Sequence, residues 1–180
     1  MPNPPSTDNY TIGKGILYIA EWGSTGPGAY EDMGNVTACE VEPTLERLPH
    51  YSSRSGFRTK DKNPIIQTEY MVNFTADEIC AANINRFVLG TMTSGQIKGM
   101  QGANKEFALK FVADNPIGQN KTWNFWKATL GPAGPLALIG EEWMAMEFTA
   151  EGLADTVNHS DSPYFDVTWT TTTTTTTTTV

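Results

Sequence analysis

The residue types that perform catalysis are sparse in this chain and badly spaced for it. His50 and His159, the two histidines, lie in turn-rich stretches with no local partner that suggests a triad or a metal site. Cys39 and Cys80 stand singly, which points to reduced small hydrophobes on a strand and a helix and away from a disulfide or a metal. Glu141 and Glu142 are consecutive on an expected strand, so their carboxylates face opposite ways and form no acid–base pair. No Gly-rich phosphate loop, nucleophile elbow, paired-Cys or HExxH pattern occurs. The sequence assigns no catalytic residue, no metal ligand and no cofactor, and the expectation is a protein that is not an enzyme. Five tryptophans offer stacking surfaces for sugar rings, although such residues more often anchor cores and subunit interfaces.

What the chain does carry is segregated charge. From Arg47 to Lys62, five basic residues (Arg47, Arg54, Arg58, Lys60 and Lys62) stand against one acid, Asp61, so this stretch sums to +4. The whole chain has a formal charge of −8, which leaves −12 for the remainder. Leu48, Tyr51 and Phe57 are the apolar anchors within the basic stretch. An acidic body bearing a basic arm is suited to contacts between copies of itself. A pI near 4.7 argues against binding nucleic acid through an overall basic surface.

The elements that position these charges read mainly as β. Sixteen Gly and eleven Pro in 180 residues fit one domain of short strands and many turns. Alternation predicts strands over 13–22, 36–48, 64–74, 105–114, 121–130, 140–153 and 163–169. The strand over 36–48 turns Cys39, Val41, Pro43 and Leu45 to one face and Glu40, Glu42, Thr44 and Glu46 to the other. Three glutamates on one strand face repel each other, so that face meets water, and Pro43 marks an edge or a bulge. Between 36–48 and 64–74 runs the long basic loop, Arg47 to Asn63. Thr75-Ala76-Asp77-Glu78 reads as a capping box that opens a helix over 76–89. Ala76, Cys80, Ile84 and Phe87 form its apolar stripe, and Gly90 stands where a terminating glycine belongs. Residues 91–104 are a loop or a weak hairpin. Residues 1–11 are expected to be a flexible arm, 12–169 the β domain, and 170–180 a low-complexity Thr tail, disordered or extended. No apolar run is long enough to span a membrane, and no signal peptide is evident, so synthesis in a cytoplasm is expected.

The succession of a GNV turn, an acidic strand, the loop HYSSRSGFRTKDK, the strand QTEYMVNF and the helix TADEICAANINRFVLG resembles the major tail tube proteins of long, non-contractile-tailed (siphovirus-type) bacteriophages. The later stretch GEEWMAMEFTAEGLAD fits the same pattern. The resemblance covers about residues 12–169 and is most specific over 34–90; the Thr run is a departure from it. It implies two packed antiparallel sheets, as a β-sandwich or half-barrel, flanked by one α-helix. It also implies hexameric rings stacked into a tube, with the long loop reaching the next ring. Arg47, Leu48, Tyr51, Arg54, Phe57, Arg58, Lys60 and Lys62 would then be the inter-ring loop. Glu40, Glu42, Glu46, Glu69, Glu147 and Glu151 would line the lumen, where a negative wall lets double-stranded DNA slide without specific binding. The implied partners are further copies of the chain, with tape measure, tail terminator and baseplate or tip proteins, and no membrane. The implied location is the virion tail, made in the cytoplasm of a bacterial host. The alternative from another class is a carbohydrate- or host-binding β-sandwich of a virion, motivated by the tryptophans.

Overall fold

The computed structural model describes residues 5–54, 56–101 and 105–170, without the side chains of Asp8 and Thr170. The expected Thr tail lies outside the described residues from position 171 on, as do the first four residues of the expected N-terminal arm. A 3-10 turn, Thr7–Asn9, leads into strands β1 (Gly15–Glu21), β2 (Glu31–Asp32), β3 (Val36–Arg47), β4 (His50–Ser52), β5 (Thr59–Lys62) and β6 (Ile65–Ala76). Helix α1 (Ala81–Phe87) follows. The chain closes with β7 (Thr91–Thr93), β8 (Gln96–Lys98), β9 (Glu106–Ala113), β10 (Asn120–Pro132), β11 (Met146–Leu153) and β12 (Phe165–Thr170).

The protein is mainly β, as its alternation predicts. One antiparallel sheet has the order β2-β1-β9-β10-β11-β6-β3, with β12 added to β10; β4–β5 and β7–β8 are separate hairpins. One face of each long strand feeds a single apolar cluster. Leu17 and Ile19 come from β1, Leu109 from β9, Phe125 from β10, Phe148 from β11, and Val72 and Phe74 from β6. The long strands thus belong to one sheet and share one core, with the two hairpins as separate small sheets. Phe74 stacks on Phe148 at 4.9 Å between ring centroids, and Phe87 of α1 meets Phe148 edge-on at 5.6 Å. The helix therefore closes the core through one aromatic.

The sheet divides along β10. Residues 127–132 pair with β11, while residues 120–125 pair with β12. Beyond Leu153 the place beside β10 passes to β12, and β6 runs on without a neighbour on that side. At this fork Tyr70 is buried beneath Gly152. A Cβ on Gly152 would sit 2.0 Å from the Tyr70 ring, so the glycine is required by close approach. The Tyr70 hydroxyl donates to the Lys127 carbonyl at 3.1 Å, and burial raises its pKa above the usual phenol value.

Three sequence expectations are corrected. The helix begins at Ala81, not 76, with Cys80 as an N-cap that makes no side-chain capping bond. Thr75 and Ala76 belong to β6, paired with Glu147 and Met146. Asp77 is engaged elsewhere: its N–H donates to the Asn35 carbonyl, and its carboxylate accepts from the Asn35 amide at 2.8 Å. A two-sided ladder outweighs one local capping box. At the other end of α1, the left-handed residue is Leu89 (φ 49°), not Gly90. Gly90 donates its N–H to the Asn85 carbonyl and packs so near Ile97 that a Cβ would come within 2.9 Å. Finally, the strand predicted over 140–153 starts only at Met146. Its partner β6 ends at Ala76, opposite Met146, so residues 140–145 have nothing to pair with.

Phe87 is 8% exposed against Phe148 and the sheet. Phe87→Ala is expected to cost roughly 3–5 kcal/mol in denaturant melts, as for other emptied aromatic core sites. A loss below about 1 kcal/mol would mean that the helix does not seal the core.

Candidate functional site

The two predicted site regions both grow from the β3–β6 pair. Its register runs from Val36↔Ala76 at one end to Arg47↔Ile65 at the other, with a bulge between Glu46 and Arg47. At Cys39↔Phe74 and Val41↔Val72, one face is covered by the core. From Glu42 to Arg47 and from Ile65 to Glu69, every residue is exposed. The pair thus leaves the body as a two-stranded ribbon. The core face continues along it as Leu45 and Ile66, each about half exposed. The Tyr164 hydroxyl fastens the ribbon's base to the body by donating to the Thr68 carbonyl at 3.1 Å.

The basic stretch extends this ribbon where the sequence suggests an unstructured loop. The Leu48 N–H donates to the Pro64 carbonyl at 3.0 Å, and then β4 pairs with β5 through His50↔Lys62, Tyr51↔Lys60 and Ser52↔Thr59. The Arg47 guanidinium donates to the Asn63 carbonyl at 3.3 Å. The Arg58 guanidinium lies 5.3 Å from the centroid of the Tyr51 ring, a cation–π contact across the hairpin. His50 is paired with Asp61, so this histidine has a partner that its sequence context hides. Arg54, Lys60 and Lys62 are exposed, as are Leu48 and Tyr51, and Phe57 is 87% exposed near the tip. All eight residues of the predicted loop site therefore sit on one projecting basic arm.

The six predicted glutamates also converge. Glu42 stands opposite Met71, which stands opposite Glu151; Glu40 is opposite Asn73, Thr44 opposite Glu69, and Glu147 opposite Thr75. Glu46 follows on the same face of β3, opposite Gln67. All six carboxylates share the non-core face of three adjacent strands, and all six residues are exposed. Carboxylates two strands apart are separated by roughly 10 Å. Each such pair costs only ~0.4 kcal/mol in water, so the fold tolerates them while the face keeps a collective negative field. β3 is the last strand of the sheet, and its outer edge has no partner among the described residues. Cys39, half-buried on that strand, is a free thiol whose pKa burial, with help from Glu40, pushes up to about 11.

The tryptophans form no common platform. Trp126 is stacked face to face on His159 at 3.6 Å, Trp123 packs beside Phe125, and Trp22 has Lys127 over its ring. Trp169 lies at the start of β10, opposite Lys121, whereas Trp143 follows the far end of that strand. Among the described residues, no group of three or more His, Cys, Asp or Glu side chains is arranged to hold a metal. A cleft of about 380 Å³ beside α1 includes in its lining the ion pairs Arg86–Glu31 and Lys105–Glu21.

Sequence reasoning passes over a polar clasp that returns the chain to β12. Asp155, 5% exposed, accepts from His159 Nδ1 at 2.9 Å and from the backbone and side-chain amides of Asn158. Its own N–H donates to the Pro163 carbonyl at 2.8 Å. Burial by itself would raise the Asp155 carboxyl, but the hydrogen bonds from His159 and Asn158 outweigh it and hold the pKa below the usual value. The signal is the D-x-x-N-H spacing, which is too common in turns to stand out.

A family model described as "Protein of unknown function UCP028589" matches residues 10–98 and 94–168. No curated protein matches the chain. Among solved structures, an anti-feeding prophage baseplate chain, imaged with 6-fold symmetrisation, is 11% identical. The alignment covers 94% of this chain and 97% of that one, at a TM-score of 0.48. A chain from the tail of an empty GTA particle is 12% identical, with 86% and 95% covered and a TM-score of 0.40. A chain of the anti-feeding prophage tube-terminating cap is 10% identical, with 93% and 97% covered and a TM-score of 0.41. Chains this distant in sequence and superposition can differ in function.

The lowered Asp155 pKa gives a pH dependence of definite sign. A depressed folded-state pKa stabilises the fold fully above the unfolded value, about 3.9, and the contribution is lost as pH falls through the folded value. Asp155→Asn is therefore expected to be less stable than wild type at pH 7, with the gap narrowing by pH 3 in denaturant melts. An equal gap at both pH values would show that the Asp155 charge contributes nothing.

Proposed function

The chain belongs to the family described as Protein of unknown function UCP028589, whose model takes in both arm and body, and we propose that it is the repeating subunit of a bacteriophage-type tail tube. Six copies make a ring, rings stack, and DNA passes down the channel into the host. The observation that carries this reading is the set of six exposed glutamates on one sheet face, ending at the edge strand β3, whose outer side has no partner among the described residues. In a closed ring that edge is joined to the next copy, which removes the liability of an open twelve-residue edge. The glutamate face lines the lumen and repels the phosphates of the passing DNA, so the duplex slides without sticking.

The basic arm links one ring to the next. It carries +4 and the rest of the chain −12, so each copy holds both halves of an attractive pair. Exposed ion pairs are worth only about 0–1 kcal/mol each, so no single pair decides assembly. Several per subunit, repeated around a ring, do. Tape measure, terminator and baseplate proteins cap and fill such a tube. In this reading residues 1–11 and 170–180 are appendages to one β domain spanning 12–169.

Reversing Arg54, Arg58 and Lys60 to Glu is expected to abolish tubes while leaving the subunit folded, because the arm contributes nothing to the core. Raising the salt concentration is expected to slow wild-type elongation, since the Debye length shrinks to ~3 Å at 1 M. Light scattering against ionic strength measures both effects. If the triple-Glu variant polymerises as wild type does, the electrostatic account is wrong.

A further inference from the structure

Two exposed features lie at opposite ends of the same strands. The arm leaves the sheet at Arg47 and Ile65. The connection between β10 and β11, residues 133–145, leaves it at the other end: Pro132 is opposite Phe148, and Met146 is opposite Ala76. Ile65 and Ala76, the two ends of twelve-residue β6, are eleven steps apart, or roughly 36 Å at ~3.3 Å per step. One pole of the subunit therefore ends in the basic arm, and the other ends in this connection.

The connection is unusually apolar for a segment in water. Leu138 is 77% exposed, Ile139 97% and Trp143 95%, with the acids Glu141 and Glu142 beside them. It curls round a hollow of about 720 Å³. Neither the core nor the β6 ladder uses these side chains. A cluster of large exposed apolar residues rimmed by charge marks an interaction surface. The arm has the complementary make-up: Phe57 at the tip to fill a hollow, with Arg54, Arg58 and Lys60 around it to meet the two glutamates and the Trp143 ring.

We infer that the 133–145 connection of one copy is the receptor for the 47–63 arm of the next. The inference rests on the tube reading and deepens it by naming where the arm lands. A contact between opposite poles is heterologous: it leaves a free arm at one end and a free receptor at the other, so stacking propagates. It also separates the two acidic regions by task. Glu141 and Glu142 take the arm, and the sheet-face glutamates remain unpaired in the channel.

The test is disulfide trapping in assembled, full-length protein. Gly56→Cys/Gly140→Cys, which flank the Phe57 and Trp143 anchors and leave both in place, is compared with Gly56→Cys/Glu151→Cys, which places the second thiol on the acidic sheet face. Each single variant serves as a control for the native Cys39 and Cys80. All three altered positions are exposed, and thermal melts verify folding. Oxidation is expected to yield a ladder of covalent oligomers from the first pair and none from the second. Tubes that form without cross-links in the first pair, or a ladder from the second pair alone, overturn the assignment of the receptor. A wild-type protein that stays monomeric at every concentration overturns the tube reading itself, and this inference falls with it. A further readout is Trp143→Ala, which is expected to raise the assembly threshold about tenfold or more, as the loss of an interfacial aromatic anchor does. An unchanged threshold counts against the receptor.

Discussion

The antiparallel ladder between β3 and β6 is the constraint on which the rest of the molecule depends. Because successive side chains alternate, one register decides three things together. It sends Cys39, Val41, Val72 and Phe74 to the core, and it sends Glu40, Glu42 and Glu69 to the opposite face. It also carries the pair past the end of the body, so that residues 47–63 stand out as an arm. A slip of one residue would bury the glutamates and expose the core, a change far too costly to be populated. Core, acidic face and arm are consequences of a single pairing.

That arrangement explains how an acidic protein tolerates its own charge. The six glutamates are exposed to water, and Met71, Asn73 and Thr75 hold those of β3 apart from those of β11, so repulsion between these two strands stays small for each pair. Five of the twelve basic residues, by contrast, cluster between Arg47 and Lys62, at the outer end of the ribbon. Opposite charges held on different parts of one subunit allow attraction between copies. The Tyr164–Thr68 bond at the fork holds the ribbon's base, and the Asp155 clasp sets the turn that brings Tyr164 to it.

Much of this is legible in the sequence where alternation is strict. The two faces of β3, with Glu40, Glu42 and Glu46 on the side away from Cys39 and Val41, follow from period two alone, whereas the register to β6 and β11 is what brings Glu69, Glu147 and Glu151 to the same side. Legibility fails where tertiary pairing competes with a local signal. Thr75 and Glu78 spell a capping box, yet the ladder to β11 claims Thr75 first. Trp143 and Met144 continue an alternating pattern, yet they extend past the end of their partner strand and become an exposed connection. The hairpin within the basic stretch is hidden for another reason: its stabilising contacts, Arg58 on Tyr51 and His50 with Asp61, join residues whose types give no β pattern. No local motif announces the fork at β10 either, because it depends on two strands far apart in sequence sharing one edge.

The central claim is that the glutamate face of β3, β6 and β11 looks into a channel formed by copies of this chain. Electron cryo-microscopy of the concentrated protein tests it most directly. The account predicts stacked rings in which Glu40, Glu42, Glu147 and Glu151 face the central lumen and β3 is joined along its edge to a neighbouring copy. Tubes with that face turned outward, or particles that remain single subunits, would contradict it.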